Sequence, residues 1–549
     1  MLPDIIKQLP KLIYNWVTPN MELFDSSRQL RVWFASMVIG FAVSIVAIIF
    51  REFIGFVQLF WLQERSENII TAARDTPWIV ILIAPVIGGA IVGWLLTNVL
   101  PQRRCFGVPD VIEARAVVGR VIGFREAIWS SLTTAISLGS GASAGREGPM
   151  VHLGSAVATA ICRRFNMPKW ADRTLLACGA AAAVSASFNA PIAGVLFAHE
   201  IVLGHYSRRS FVPIVIAAAG GTIFSRLWFG DIAAFVIPEY QITSFWEFPA
   251  FALLGVVCAL VSVLFQFALV GTDYVARNID MPLFFRPMIG GLMIGLIGII
   301  FPHILGVGYE ATDLALKNQL DLKLLLLLLV FKTAATAITL ASRFGGGVFS
   351  PALYLGAMAG GAFGLIASDI FPELASSQGL YAILGMGAVA AAVLGAPFST
   401  TMIVFELTGG YGLSIALLLA VSISTGINQA IHGHSFFEWQ LEMRGLFFKD
   451  GPHKFLMRSI KVNDFMVENA EDEPSKRHEF NEEGEPLPYL TISDNLEYAL
   501  RRFDEAGFIS LPVVDEKRDW QVVAVATQTA ALRHFNRALV ETSEEEHRA

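Results

Sequence analysis

An ionisable pair, Arg146-Glu147, stands inside an apolar background in the run Gly139-Ser-Gly-Ala-Ser-Ala-Gly-Arg-Glu-Gly-Pro149. Hydrocarbon does not tolerate such side chains, so an acid placed there is functional by default. Gly145, Gly148 and Pro149 bracket Glu147 and predict a turn-like backbone with a helix starting at Pro149, since proline suits the first helical position. The unpaired N–H groups of a helix start, together with its dipole, make an anion site. A carboxylate there competes with an anion for the same donors, and protonation releases it. The chemistry suggested is the gating of an anion by a proton. The plainer readings are a structural cap or an ion pair with Arg146.

The elements that must position this group are membrane-spanning. The chain has 549 residues, 54% of them hydrophobic and 16% charged, with a mean hydropathy of +0.57. That is the composition of a polytopic membrane protein. The clearest apolar runs are Val32 to Phe50, Trp78 to Leu100, Phe248 to Val270 and the shorter Met288 to Phe301, and others are broken by Gly and Pro. Basic connections (Arg103, Arg104, Arg115, Arg120, Arg125 and then Arg163, Arg164, Lys169, Arg173) suggest cytoplasmic loops. Residues 1–30 read as a cytoplasmic N-terminal segment with a short amphipathic helix, not a signal peptide. Cys105, Cys162, Cys178 and Cys258 have no pairing or metal spacing, so they read as reduced, and no metal or cofactor is expected. From Met457 to Ala549 there are 11 Lys+Arg against 20 Asp+Glu, net −9 of the chain's −7. This shift separates a membrane part, 31–455, from an acidic soluble tail, 456–549.

The sequence repeats itself. Gly145-Arg-Glu-Gly-Pro149 continues to Leu153-Gly154, and Gly347-Val-Phe-Ser-Pro351 continues to Leu355-Gly356, 202 residues on. Downstream, Gly179 leads through small residues to Ala190-Pro191 and Glu200, and Gly385 leads to Ala396-Pro397 and Glu406, now 206 apart. Two motifs at nearly one offset make coincidence improbable. Repeated helices broken by Gly and Pro are the pattern of a transporter or channel with its binding site at the repeat interface. The small-residue runs Gly179–Ser187 and Gly385–Val393 read as close helix packing.

Gly-Arg-Glu-Gly-Pro, Gly-Val-Phe-Ser-Pro and Asn189-Ala-Pro191 followed by Glu200 resemble the CLC family of chloride channels and chloride/proton antiporters, from about Pro77 to Leu441. The resemblance implies an all-α polytopic membrane protein with two inverted halves of tilted and broken helices. It also implies a homodimer with one anion pathway per subunit. Glu147 then matches the gating glutamate, which is both gate and proton acceptor. The anion site implied comprises Phe106, Gly107, Val108, Arg146, Gly148, Gly347, Val348, Phe349 and Phe437. Val348 and Phe349 would offer backbone N–H while their side chains pack.

Three positions depart from the family. Its first selectivity loop usually reads Gly-Ser-Gly-Ile-Pro, whereas this chain has Cys105-Phe-Gly-Val-Pro109, with Phe106 in place of serine. Its central tyrosine falls at Phe437, so both central hydroxyls are replaced by rings that cannot donate an O–H bond. Its internal proton-transfer glutamate falls at Ile201, in Phe197-Ala-His-Glu200-Ile201. His199 and Glu200 are the nearby proton-path candidates, although Glu200 and its repeat partner Glu406 read more simply as structural acids that bind backbone N–H. Lys332 and Arg343 are read either as plain snorkelling and surface residues or as sources of positive potential for an anion.

In the tail, Ile460 to Met466 and Leu490 to Leu496 resemble a small α/β CBS domain interrupted by an acidic insertion, 468–488. There is room for one such motif, which suggests pairing across a dimer. The nucleotide-binding aspartate of that family falls near Ala530, which argues against nucleotide binding. The expectation is chloride transport through a pathway gated by Glu147, as chloride/proton exchange, in a cell inner (plasma) membrane with a cytoplasmic tail. The alternatives are a passive voltage- or pH-gated channel and, more remotely, a non-transporting membrane sensor. No enzyme constellation stands in the apolar segments, and no nucleic-acid partner is expected.

Overall fold

The computed structural model describes residues 14–18, 21, 28–65, 67–117, 121–230, 235, 240–409, 411–446, 457, 460–468, 478, 486–515 and 520–547. The expected boundary near 455, most of the N-terminal segment and most of the acidic insertion lie outside them. Residues cluster by contact into two units, 1–437 and 438–549.

Seven helices among the described residues are long and apolar enough to cross a membrane: Gln29–Leu62, Trp78–Asn98, Arg208–Phe229, Phe245–Asn278, Leu322–Ala341, Phe349–Ile370 and Ser414–Glu442. Shorter apolar helices, including Phe285–Ile300 and Gln378–Leu394, lie among them. The sequence picks out four of these runs clearly. Phe349–Ile370 and Gln378–Leu394 are diluted by Gly, Ala and Ser, which lower hydropathy while tightening packing, and Leu322–Ala341 is interrupted by Lys323 and Lys332.

The two halves meet through reciprocal contacts, in which residue i of one half touches j of the other and their repeat partners touch in the same way. This is the signature of a two-fold relation. A Cβ at Gly89 would lie 2.4 Å from the Pro287 carbonyl oxygen, and one at Gly291 would lie 2.2 Å from that of Pro85. The Ser143 N–H donates to Thr339 Oγ1 (3.1 Å), and the Gly345 N–H donates to Ser137 Oγ (3.0 Å). Helix packing within each half also matches. A Cβ at Gly179 would meet the Gly154 carbonyl oxygen at 2.3 Å, and one at Gly385 would meet that of Gly356 at 2.3 Å. Close approach, not helix propensity, therefore explains the small-residue runs.

The helix breaks also repeat. Helix Asp172–Phe188 ends on Asn189 (φ 57°), and helix Gln378–Leu394 ends on Gly395 (φ 69°), both left-handed C-caps. In each copy an Ala-Pro follows, and the next helix starts on the proline, at Pro191 and at Pro397.

The second unit carries a four-stranded sheet in the order β1-β4-β3-β2 (β1 Val467–Glu468, β2 Leu490–Thr491, β3 Ser510–Asp515, β4 Gln521–Thr527). β2 runs parallel to β3 through helix Leu496–Ala506, while β3 and β4 are antiparallel with an irregularity at Val513/Val514. Its core is apolar: Val462, Leu490, Leu496, Phe503, Leu511 and Val513 are buried together. Asn495 caps the helix by accepting the Tyr498 N–H.

Candidate functional site

The two glycine motifs touch at their repeat-related residues. The Gly145 N–H donates to the Gly347 carbonyl (2.7 Å), and the Gly347 N–H donates to the Gly145 carbonyl (2.8 Å), a two-bond antiparallel bridge. From this bridge one helix leaves as Glu147–Arg164 and the other as Phe349–Ile370. The first helix starts at Glu147, two residues before the expected Pro149. Proline is still harmless there, because the first turn of a helix has no intrahelical use for its N–H groups. The N–H groups of Arg146, Glu147, Gly148, Val348 and Phe349 bond to no described residue. Two helix starts thus bring free donors together, with Gly148 and Gly347 at the contact: a Cβ on Gly347 would lie 3.4 Å from the Gly148 nitrogen.

Glu147 is 2% exposed. Its Oε1 accepts the Ser350 hydroxyl (2.5 Å) and the Tyr309 hydroxyl (3.2 Å), while its Oε2 is buried without a hydrogen-bond partner. The carboxylate therefore reaches across to the other helix start and does not cap its own. Arg146 does not pair with it. The Arg146 guanidinium binds Glu67, which also binds Arg51 at 3.0 Å, and it lies 5.0 Å over the Tyr309 ring.

In the second copy Phe349 takes the place of Glu147. Its ring packs on Phe188 (5.0 Å) and Phe197 (6.4 Å), leaving only the backbone to face an anion. The Phe106 N–H donates to Ser130 Oγ (2.8 Å), and the Gly107 N–H donates to Asp110 Oδ2 (2.9 Å), with Asp110 held by Arg104 at 2.6 Å. Two of the anticipated donors are thus engaged inside the protein. Val108 is buried at the start of helix Val108–Ala116. The Phe106 ring stacks on His152 (5.0 Å), whose Nδ1 is buried and unpartnered. Phe437 is buried at the start of helix Phe436–Glu442.

The proton-path candidates sit elsewhere. Glu200 accepts the Phe398 N–H (3.1 Å), the Ser399 N–H (2.7 Å) and the Ser399 hydroxyl (2.5 Å), so it caps the Pro397 helix. Glu406 accepts the Ile192 N–H (3.1 Å) and the Ala193 N–H (2.7 Å) and caps the Pro191 helix. Each half thus supplies the N-terminal acid of the other. His199 is buried in a π-helical turn, Ala198–Leu203, stacked on Tyr206 at 5.4 Å, with Nδ1 3.2 Å from the His205 carbonyl. Lys332 does not snorkel. It is fully buried, donates to the Ile304 and Gly306 carbonyls (3.0 Å each) and lies 5.0 Å over the Tyr354 ring. Arg343 lies 4.0 Å from Asp273.

Sequence reasoning missed Tyr309, Ser350, Glu67 and His152. Ser350 lies inside the repeat motif, beside Phe349, and was the one within reach. Tyr309 is 162 residues from Glu147, and nothing in the chain's spacing links them.

Known proteins are similar to this chain in sequence and fold. Residues 88–429 match the family model described as voltage gated chloride channel. A chloride channel protein described as ClcB-like, from Ralstonia nicotianae, is 33% identical over 70% of this chain and 90% of its own length. The H(+)/Cl(-) exchange transporter ClcA of Klebsiella pneumoniae is 29% identical over 75% of this chain and 89% of its own. A solved structure of a slow cyanobacterial Cl-/H+ antiporter superimposes with a TM-score of 0.69 at 22% identity, covering 75% of this chain and 98% of that one. With most of its membrane unit inside the family match and the repeat-related helix starts bridged at its centre, this multi-pass membrane chain belongs to the voltage gated chloride channel (CLC) family.

Proposed function

We propose that the chain moves chloride across the membrane in exchange for protons, with Glu147 as gate. One observation carries this reading: a buried carboxylate with one unpartnered oxygen lies where two helix starts present free N–H groups. An ionised carboxylate there excludes an anion by charge and by position. A protonated one loses that charge and can leave, so the group that opens the way also carries the proton. Chloride is in the names of both relatives, and exchange is in the name of the ClcA relative. The working form is a homodimer in a cell inner membrane, with residues 456–549 as a cytoplasmic, CBS-like module that stabilises the dimer or regulates it without binding a nucleotide. Enzymatic chemistry plays no part in this reading.

The test is a chloride gradient imposed on proteoliposomes with an internal pH indicator. Proton movement opposite to chloride supports exchange, and robust chloride flux without proton movement ends it. The second reading, a passive channel, is favoured by one feature: Ile201 cannot titrate, and its neighbour Glu200 is engaged in a cap.

A further inference from the structure

We infer that Tyr309, together with Ser350, is the latch of the gate, a positioning residue that sets the pH at which Glu147 lets go. This rests on Glu147 being the gate. Both hydroxyls donate to the same oxygen, Oε1, and both come from helices other than the one that carries Glu147. Hydrogen bonds to an ionised acceptor are about twice as strong as neutral ones. The pair therefore holds the charged carboxylate and loosens when it is protonated. Oε2 is buried and accepts from no described residue, so it is the oxygen left to take the proton while Oε1 is held.

Tyr309 is built into place. Gly308, at φ 93°, turns the chain in a left-handed conformation that glycine adopts freely, and the helix Tyr309–Leu316 starts there. The ring lies beneath the Arg146 guanidinium at 5.0 Å and against Phe235 at 5.7 Å. Glu67 holds Arg146 through an ion pair. The other charged groups around the latch are committed. Arg51 pairs with Glu67, Glu310 accepts the Ile70 N–H at 2.6 Å and bonds Thr71, and Lys332 donates to the Ile304 and Gly306 carbonyls.

The experiment measures chloride efflux against pH for the full chain in liposomes. Tyr309→Phe keeps the ring and its stacking and removes only the donor. Its midpoint is expected to move to higher pH by about one unit or more, one unit being a tenfold change in proton concentration. Ser350→Ala is expected to move it the same way, and it stands as an independent arm should Tyr309→Phe fail to fold. In a Glu147→Gln background neither change should shift anything. Parent-like profiles for both variants, alongside a pH-independent Glu147→Gln, would overturn the latch and leave the gate standing. A parent-like profile in Glu147→Gln itself would remove the gate, and the latch with it.

Discussion

Gly145 makes room for the gate. A Cβ at this position would lie 2.6 Å from Glu147 Oε2 and 3.1 Å from the Ser350 nitrogen, and the carboxylate is the more mobile of the two. Gly145→Ala should therefore displace Glu147 from its latch without removing it. The expected outcome is a chloride-efflux midpoint moved to higher pH, as for Tyr309→Phe, read by the same liposome assay. The acid itself was legible in the sequence, because an ionisable residue between glycines in an apolar run has few uses. Its partner Tyr309 was not, because that residue reaches the site only through the fold. The rings at Phe106 and Phe437 show the same limit. Their types excluded hydroxyl donors, but only the structure shows that the Phe106 and Gly107 N–H groups are already donated to Ser130 and Asp110.

At the scale of elements, Glu200 and Glu406 exchange caps between halves, and their spacing from Pro191 and Pro397 follows from that job. Removing either should cost about 1–2 kcal/mol, the usual worth of an N-terminal cap, read as lower thermal stability of the purified protein in detergent. Glu200→Gln should leave the proton-to-chloride ratio at the parent value, since its carboxylate is held by the Phe398 and Ser399 N–H groups. A changed ratio would return it to the proton path. The helix crossings are less forgiving. A methyl group at Gly385 would sit 2.3 Å from the Gly356 carbonyl oxygen, on backbone that cannot swing aside. Gly385→Ala should cost about 1–3 kcal/mol or more through overpacking and lower the yield of folded protein. The sequence showed these elements best where its repeat forced comparison. It misplaced one helix start by two residues, because Pro149 suits the third helical position as well as the first, where no N–H is used in either case.

At the scale of the molecule, a two-fold arrangement places like backbone against like and leaves function to the differences. Glu147 stands where the repeat puts the twin of Phe349, so one copy carries a charge and the other a packed ring. The repeat was visible from two motifs at offsets of 202 and 206, but its reciprocal bonds were not, because hydrogen bonding leaves no mark on composition. Both helix starts belong to the first unit, and the second has its own core. A chain ending after residue 446 should therefore still pass chloride, and loss of flux with the protein intact would assign the tail a part in the pathway. The central claim is that one carboxylate both closes the pathway and carries the proton. The most direct measurement is the simultaneous recording of chloride and proton fluxes in liposomes for the parent and Glu147→Gln. The account predicts coupled fluxes in the parent, and in the variant chloride flux that persists, ignores pH and moves no protons. Proton movement that survives the substitution would contradict it.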